Sequence, residues 1–458
     1  MEVNQHIFRA NDIRGVAYED LTQEVVIQLG KSLGSEALER GVKDFVIGRD
    51  GRLSSPEMYE WLSGGVLSTG CNVINIGIVT SPMFYHSTFV LESASGVVIT
   101  GSHNPGEYNG FKVVFNNQST SSEEIVSLKK RILNNDFKTG EGLCRDEDIK
   151  ESYINEIISS VKLNKQLNIS IDCGNGSAGM IAKEVYERLG CNVSELFGDL
   201  DGQFPNHHPD PSKVENMFDL IKDVEKNQSC VGLAFDGDAD RLGIIDEKGN
   251  YISTLNVFSI LSDHMLQYEK NSTSIVCNIT MSSMIEKIGE KYNCEIIRTP
   301  VGFKNIAPII EKKKSILGGE ESGGYAFRNH IPERDGILSA LYFLQSMIKN
   351  NKTPGNLLDR LHKEFGYKIY HRIDKEIHPE VYEDIKKNIT SLRPEYIGKF
   401  KVLSINTLDG IKFFIDDDSW VAIRISGTEP LLRIYIETID FSNIKQISES
   451  IMKYIEIK

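Results

Sequence analysis

Short apolar runs alternate with longer amphipathic stretches through roughly the first 365 residues, the texture of a chain whose strands are buried on both faces. Phe45-Val46-Ile47-Gly48, Asn72 to Ile78 and Gly96 to Thr100 are predicted as short buried strands. Ser54-Ser55-Pro56-Glu57 predicts a helix start, with capping-box spacing and a proline in the first turn. The pattern restarts at Ile169-Ser170-Ile171-Asp172 and again at Ser274-Ile275-Val276-Cys277-Asn278, each time after a charged, weakly apolar stretch. Three α/β units in series follow, over 1–145, 146–252 and 253–365.

Near Tyr367 the texture changes. Val402 to Leu408 and Ile411 to Ile415 predict a hairpin turning at Asp409-Gly410. Trp420 to Ile425 and Leu431 to Glu437 predict two further strands, and Asn443 to Tyr454 a closing helix. This is an α+β domain over 366–458.

Composition narrows the field. The 458 residues are 40% hydrophobic and 25% charged, values of an ordinary globular chain. Lys plus Arg total 51 against 65 acidic residues, a net charge of −14, which argues against nucleic-acid or acidic-membrane partners. No apolar run reaches the ~18 residues of a membrane span, and Met1 to Ala10 lacks the apolar core of a secretion signal. Seven cysteines without CxxC spacing suit reduced thiols in a cytoplasmic protein rather than a zinc site.

Four motifs carry the chemistry. Thr100-Gly101-Ser102-His103-Asn104-Pro105 follows a predicted strand, so its loop lies where open α/β sheets place ligands. A turn with a capping serine would also explain it, but Lys112 follows in the next strand and His103 is a candidate for proton transfer. A GxSxG elbow is excluded, because Asn104 stands where that motif needs glycine.

Asp236, Asp238 and Asp240 alternate after the buried run Val231 to Phe235. In an extended chain they share one side, giving the hard oxygen ligands that Mg²⁺ accepts. Read as an EF-hand loop, the same run puts Glu247 at position twelve but Arg241 at position six, where the turn needs glycine. Without a cation, three clustered carboxylates repel one another.

Gly318-Gly319-Glu320-Glu321-Ser322-Gly323-Gly324 offers Glu320 and Ser322 to vicinal sugar hydroxyls. Arg424, Ser426, Gly427 and Thr428 combine a guanidinium fork, two hydroxyls and a backbone amide, a set suited to a phosphate dianion. Arg433 and Lys304 are further candidates.

Two glycine motifs compete with this reading. Gly174-Asn175-Gly176-Ser177-Ala178-Gly179 is a formal GxGxxG with Glu195 downstream, the mark of a dinucleotide-binding oxidoreductase, although a tight strand-to-helix turn also explains it. Gly30-Lys31-Ser32 is not a P-loop, since Val25 replaces the first glycine.

The four chemical motifs, in this order and across essentially the whole chain, resemble the α-D-phosphohexomutase family. With Phe8-Arg9-Ala10-Asn11-Asp12-Ile13-Arg14-Gly15 they look closest to its bacterial phosphoglucomutase/phosphomannomutase branch. The resemblance implies four domains around a central cleft, three related α/β domains and a C-terminal α+β domain. It implies a phosphoserine at Ser102, which would supply a further metal oxygen, and Mg²⁺ ligands at Asp236, Asp238 and Asp240. Lys112 and Arg14 would assist proton transfer and charge stabilisation, with Arg241 close to the phosphoserine. Glu320 and Ser322 would hold the sugar, and Arg424, Ser426, Gly427 and Thr428 the phosphate that does not react. The implied reaction interconverts hexose 1- and 6-phosphates of glucose or mannose through a hexose 1,6-bisphosphate, which also acts as activator. The implied protein is a monomer or weak homodimer whose partner is its phosphosugar.

One departure bears on the sugar. Several branches have histidine after Ser-Gly in the sugar loop, where this chain has Gly324; His330 is a candidate stand-in. Phosphoglucosamine mutase therefore remains an alternative, with a non-catalytic phosphosugar sensor as a further one.

Overall fold

The structure, a computed structural model, describes residues 5–9, 12–268, 273–377, 382–416, 418–426 and 431–455. The chain forms two compact units, Met1–Val257 with Ser322–Leu357, and Phe258–Glu321 with Leu358–Lys458.

The first unit holds two sheets. Strands β1 (Ile13–Val16), β2 (Asp44–Arg49), β3 (Asn72–Ile78), β4 (Gly96–Ile99), β5 (Tyr108–Phe115), β6 (Gln118–Ser119) and β7 (Cys144–Asp146) form one, ordered β1-β5-β4-β2-β3-β7 with β6 on β5. Strands β8 (Asn168–Asp172), β9 (Asn192–Leu196), β10 (Val231–Phe235), β11 (Leu242–Ile245) and β12 (Tyr251–Ile252) form the other, ordered β12-β11-β10-β8-β9. Both share a core plan. Three parallel strands, β3-β2-β4 or β9-β8-β10, are followed by an antiparallel neighbour, β5 or β11. Every residue of β4 and β10 is buried, which is why these runs are apolar throughout rather than alternating. The loops after β4 and β10 begin at Thr100 and Asp236, both at carboxyl ends of parallel strands.

The second unit contains β13 (Ser274–Asn278), β14 (Glu295–Thr299) and β15 (Leu317–Gly319), with β13 parallel to both others. After β16 (Tyr325–Phe327) and the helix Gly336–Asn350, both in the first unit, the chain returns to the second. There β17 (Ile369–Glu376), a small hairpin of β18 (Tyr396–Ile397) and β19 (Phe400–Lys401), and β20 (Ser404–Asn406), β21 (Ile411–Phe414), β22 (Trp420–Ile425) and β23 (Leu431–Thr438) give an antiparallel sheet ordered β17-β23-β22-β21-β20. Helix Phe441–Ile455 covers its apolar face through Ile444, Ile447, Ile451 and Ile455.

Three local expectations need correction. Helix Ser55–Leu67 starts where predicted, but Ser54 makes no capping bond; its hydroxyl accepts from Asn109 Nδ2 at 2.9 Å, and Glu57 accepts from Tyr18. The β20–β21 connection is longer than two residues, because Asn406 pairs with Lys412 and Asp409 is drawn away to the amide of Val301 and to Arg424. The aspartates after β10 lie on a turn, with Ala239 at φ 61°, not on an extended strand. No helix among the described residues is long and apolar enough to cross a membrane.

Candidate active site

Ser102 sits in the loop between β4 and β5 with a left-handed backbone, φ 49°. A non-glycine residue held there is strained, and such strain persists only where surrounding contacts over-determine it. Ser102 N donates to Thr100 Oγ1 at 2.9 Å, its carbonyl accepts from Arg52 at 2.8 Å, and its Oγ donates to Asp236 Oδ2 at 2.9 Å. The β4–β5 loop thus carries the hydroxyl to the aspartate loop after β10.

That second loop turns on Asp236 itself. Asp236 Oδ1 accepts from the amides of Asp240 and Arg241 at 3.0 and 3.1 Å. The turn compensates for the lost extension: carboxylate oxygens of Asp236, Asp238 and Asp240 still come within 4.8 Å of one another, all in fully buried residues. Lys112 on β5 stands 2.5 Å from Asp238 Oδ2 and 2.6 Å from Asp240 Oδ2, and Arg334 reaches the latter oxygen at 2.8 Å. The opposite oxygens, Asp238 Oδ1 and Asp240 Oδ1, are buried without a hydrogen bond. Burial, and then the neighbouring carboxylates, push the Asp236 carboxyl well above its ordinary range. Orphaned hard oxygens and mutual repulsion both fit an oxygen-seeking divalent cation such as Mg²⁺.

The surrounding cations are fixed by their own partners. Burial alone would depress Lys112, but Asp238 and Asp240 outweigh it and hold the ammonium above its usual range. Arg14 on β1 donates to Asn104 Oδ1 at 2.6 Å and pairs with Asp12 at 2.6 Å. Arg241 lies 3.8 Å from Asp236 and 3.7 Å from Asp210, with its Nε buried and unbonded. His103 Nδ1 is 3.5 Å from Ser102 Oγ; burial, then Arg241 and Arg14, hold this imidazole well below its ordinary value, so it is neutral near pH 7.

Four participants escaped the sequence reading. Arg52 and Asp50, just past β2, support the Ser102 loop. Ser81 donates to Asp238 Oδ2 at 2.5 Å. Arg334 is admitted by Gly324, where a side chain would collide with Arg334 Cδ. The available signal for the first pair was polar residues crowded at the end of a buried strand, the position of Ser102 itself.

The other expected residues divide. His330 does not stand in for a sugar ligand. Its ring is buried, with Nδ1 at 2.8 Å from Glu156 and Nε2 at 2.8 Å from Asp335, so both nitrogens serve the fold. Gly176 does not mark a dinucleotide loop: a Cβ there would lie 2.7 Å from Gly237 O, and Ser177 N donates to the same carbonyl at 3.0 Å, so this turn buttresses the aspartate loop. Gly30 packs its helix against the helix Ser55–Leu67.

In the second unit, Glu320 is buried just after β15, and Lys304 is half-buried in the turn Phe303–Asn305. Ser322, formally in the first unit, is half-buried. Arg424 and Arg433 oppose each other across β22 and β23, and Arg424 Nε lies 3.1 Å from Asp409. Like charges directly opposite on a ladder repel, an arrangement that an anion relieves. Ser426 is buried at the end of β22; Gly427 and Thr428 lie outside the described residues.

A serine hydroxyl on a carboxylate cage, ringed by lysine and arginine, is a set of groups suited to metal-assisted phosphoryl transfer. Four family profiles cover the chain: phosphoglucomutase/phosphomannomutase α/β/α domain I at residues 5–139, domain II at 151–249, domain III at 255–365 and the C-terminal domain at 375–453. The chain belongs to the phosphoglucomutase/phosphomannomutase family. It is 35% identical over 441 residues to the phosphomannomutase/phosphoglucomutase of Pseudomonas aeruginosa, covering 94% of this chain and 91% of that one. It is 32% identical over 459 residues to a phosphoglucomutase of Neisseria gonorrhoeae, covering 99% and 97%. Among solved structures, a family protein from Burkholderia thailandensis matches with TM-score 0.90 and 28% identity over 99% of this chain and 98% of that one.

Proposed function

We propose that the chain interconverts hexose 1-phosphates and hexose 6-phosphates, of glucose, mannose or both, through phosphorylated Ser102 and a hexose 1,6-bisphosphate. The observation that carries this is Ser102 Oγ at 2.9 Å from Asp236, one of three buried aspartates whose carboxylate oxygens come within 4.8 Å of one another. In the first half-reaction the sugar's free hydroxyl attacks the Ser102 phosphorus; the new P–O bond forms as the bond to Ser102 Oγ breaks, and the proton lost by the sugar hydroxyl is matched by one gained by the departing Ser102 oxygen. The sugar bisphosphate then presents its other phosphate, and Ser102 Oγ takes that group back. A free bisphosphate would load the enzyme in the same way and so act as activator.

Asp236, which accepts a hydrogen bond from the Ser102 hydroxyl, and neutral His103 are the groups beside Ser102 through which a proton can pass, whereas Lys112, held charged by two aspartates, serves as a cation. Arg14 and Arg241 add positive charge around the transferring group. Asp236, Asp238 and Asp240, with the phosphorylated Ser102, would hold a Mg²⁺ ion, which would supply positive charge against the phosphoryl oxygens. Glu320, Ser322 and Lys304 are assigned to the sugar, and Arg424, Ser426 and Arg433, with Gly427 and Thr428, to the phosphate that does not react.

The test is a coupled assay with Mg²⁺ and trace glucose 1,6-bisphosphate, offering glucose 1-phosphate, mannose 1-phosphate and glucosamine 1-phosphate in parallel. Turnover of a neutral hexose is expected; turnover of glucosamine 1-phosphate alone would replace the substrate, and silence on all three would reject the reading. Ser102→Ala is expected to lower kcat by about three orders of magnitude or more with unchanged circular dichroism, as when other covalent nucleophiles are removed.

A further inference from the structure

We propose that Arg52 is the positioning residue of the phosphoserine loop, holding the strained Ser102 backbone in place for phosphoryl transfer; this rests on the mutase reading above. The side chain is completely buried. Its Nη2 donates to the carbonyls of Ser102 and Asn104 at 2.8 and 2.6 Å. Its Nη1 donates to those of Pro105 and Tyr108 at 2.5 and 2.9 Å, and Nε meets Asp50 Oδ2 at 3.1 Å. A guanidinium has five N–H donors, and these five contacts use them all. Arg52 therefore has no donor left for a phosphate; it acts through the loop.

The loop is otherwise irregular between β4 and β5, so three of its carbonyls, with that of Tyr108 at the start of β5, converge on one cation. Asp50 sets the orientation of that cation. It accepts from Arg52 N at 3.0 Å, from Ser55 Oγ at 2.7 Å and from Gly101 N at 3.3 Å, so the fork and the residue before the nucleophile share one anchor. The surroundings are built to admit the fork. A Cβ at Gly101 would collide with the Arg52 guanidinium, and one at Gly202 would lie 2.5 Å from Arg52 Cα. Phe204, itself at φ 51°, places its ring 4.9 Å from the guanidinium. The loop after β9 thus closes over the group that shapes the loop after β4.

Lysine keeps the charge of Arg52 but cannot fork to four carbonyls. In Arg52→Lys, kcat is expected to fall about 100-fold, while KM for glucose 1-phosphate and the Mg²⁺ concentration for half-activation stay within threefold. Single-turnover transfer of labelled phosphate from glucose 1,6-bisphosphate to Ser102 should fall by the same factor as kcat, a signature that loss of fold or of sugar contacts would not produce. Gly101→Ala, which retains Arg52 but displaces its guanidinium, should reproduce the pattern and stands as the independent variant if Arg52→Lys folds poorly. Folded variants of both kinds with kcat within threefold of wild type would overturn the inference while leaving the mutase reading intact. So would a loss confined to KM or to Mg²⁺ activation. Wild-type protein that neither turns over phosphosugars nor accepts label at Ser102 would overturn both.

Discussion

Gly324 and Arg334 illustrate how one missing side chain admits another. With no Cβ at 324, the Arg334 side chain occupies that space and sets its Nη2 2.8 Å from Asp240 Oδ2, beside Lys112 on the same oxygen. Its sequence neighbours are anchored: Glu333 accepts from Ser119, and Asp335 accepts from the amide of Leu338 at the start of the helix Gly336–Asn350. Gly324→Ala should leave the fold intact, because a flexible side chain can swing aside, but it should evict Arg334 from Asp240. A hydrogen bond between charged groups contributes roughly 1.5–3 kcal/mol, so kcat/KM should fall about 10- to 100-fold. Arg334→Ala should cost the same, and the double variant no more than either alone, since both changes remove one interaction. Additive losses would show that Gly324 and Arg334 act separately.

At the scale of elements, the segment from β16 to the helix Gly336–Asn350 is locked to the aspartate loop. Gly336 N donates to Ala239 O and Leu242 N to Gly323 O, both at 3.0 Å. His330 holds the segment by bridging Asp335 and Glu156; Glu156 also pairs with His86, and Tyr153 donates to Asp335. Burial opposes charge on His330, but the two carboxylates prevail and raise it from 6.5 to about 9. A raised folded-state value stabilises fully below the unfolded value of 6.5 and is lost as pH rises through about 9. The shift corresponds to roughly 3 kcal/mol at most. Denaturant unfolding should therefore show wild type losing stability between about pH 7 and 9.5, and His330→Gln, weaker near neutrality, converging with it above that range. Parallel curves for the two proteins would remove His330 from this role. The buried runs of β2, β4 and β10 were legible in the sequence because burial on both faces leaves a nearly unbroken apolar signature. The tasks of Arg52, Arg334 and His330 were not, because each is defined by residues distant in sequence: Arg52 by Ser102 and Asn104, Arg334 by Asp240, His330 by Glu156. Ser102 and the aspartates stood out through unusual local spacing, whereas an arginine in a loop has no local mark of what it will hold.

The whole molecule carries a net charge of −14, yet its proposed substrate is an anion. The site does not reverse that balance by itself. Asp12, Asp210, Asp236, Asp238 and Asp240 are five carboxylates against the four cations Arg14, Lys112, Arg241 and Arg334, which contact them. With the Asp236 carboxyl pushed toward its neutral form, the remaining charges only balance, so a sugar phosphate approaching the metal-free protein meets no net positive charge within a negative protein. A divalent cation changes the sign locally, over distances where a Debye length of about 8 Å leaves the remote surface screened. The cation is thus expected to matter for phosphosugar capture as well as for bond-making. The aspartate loop, in contrast, is closed by protein hydrogen bonds, from Asp240 N and Arg241 N to Asp236 and from Gly336 N to Ala239. Removing metal with EDTA from the Ser102→Ala protein, which cannot turn over, should leave circular dichroism unchanged but weaken calorimetric binding of glucose 1-phosphate at least tenfold, about 1.4 kcal/mol. Added Mg²⁺ should restore it. Equal binding with and without Mg²⁺ would place the substrate's electrostatic capture elsewhere, on the opposed arginines Arg424 and Arg433, and confine the aspartate cage to the chemical step.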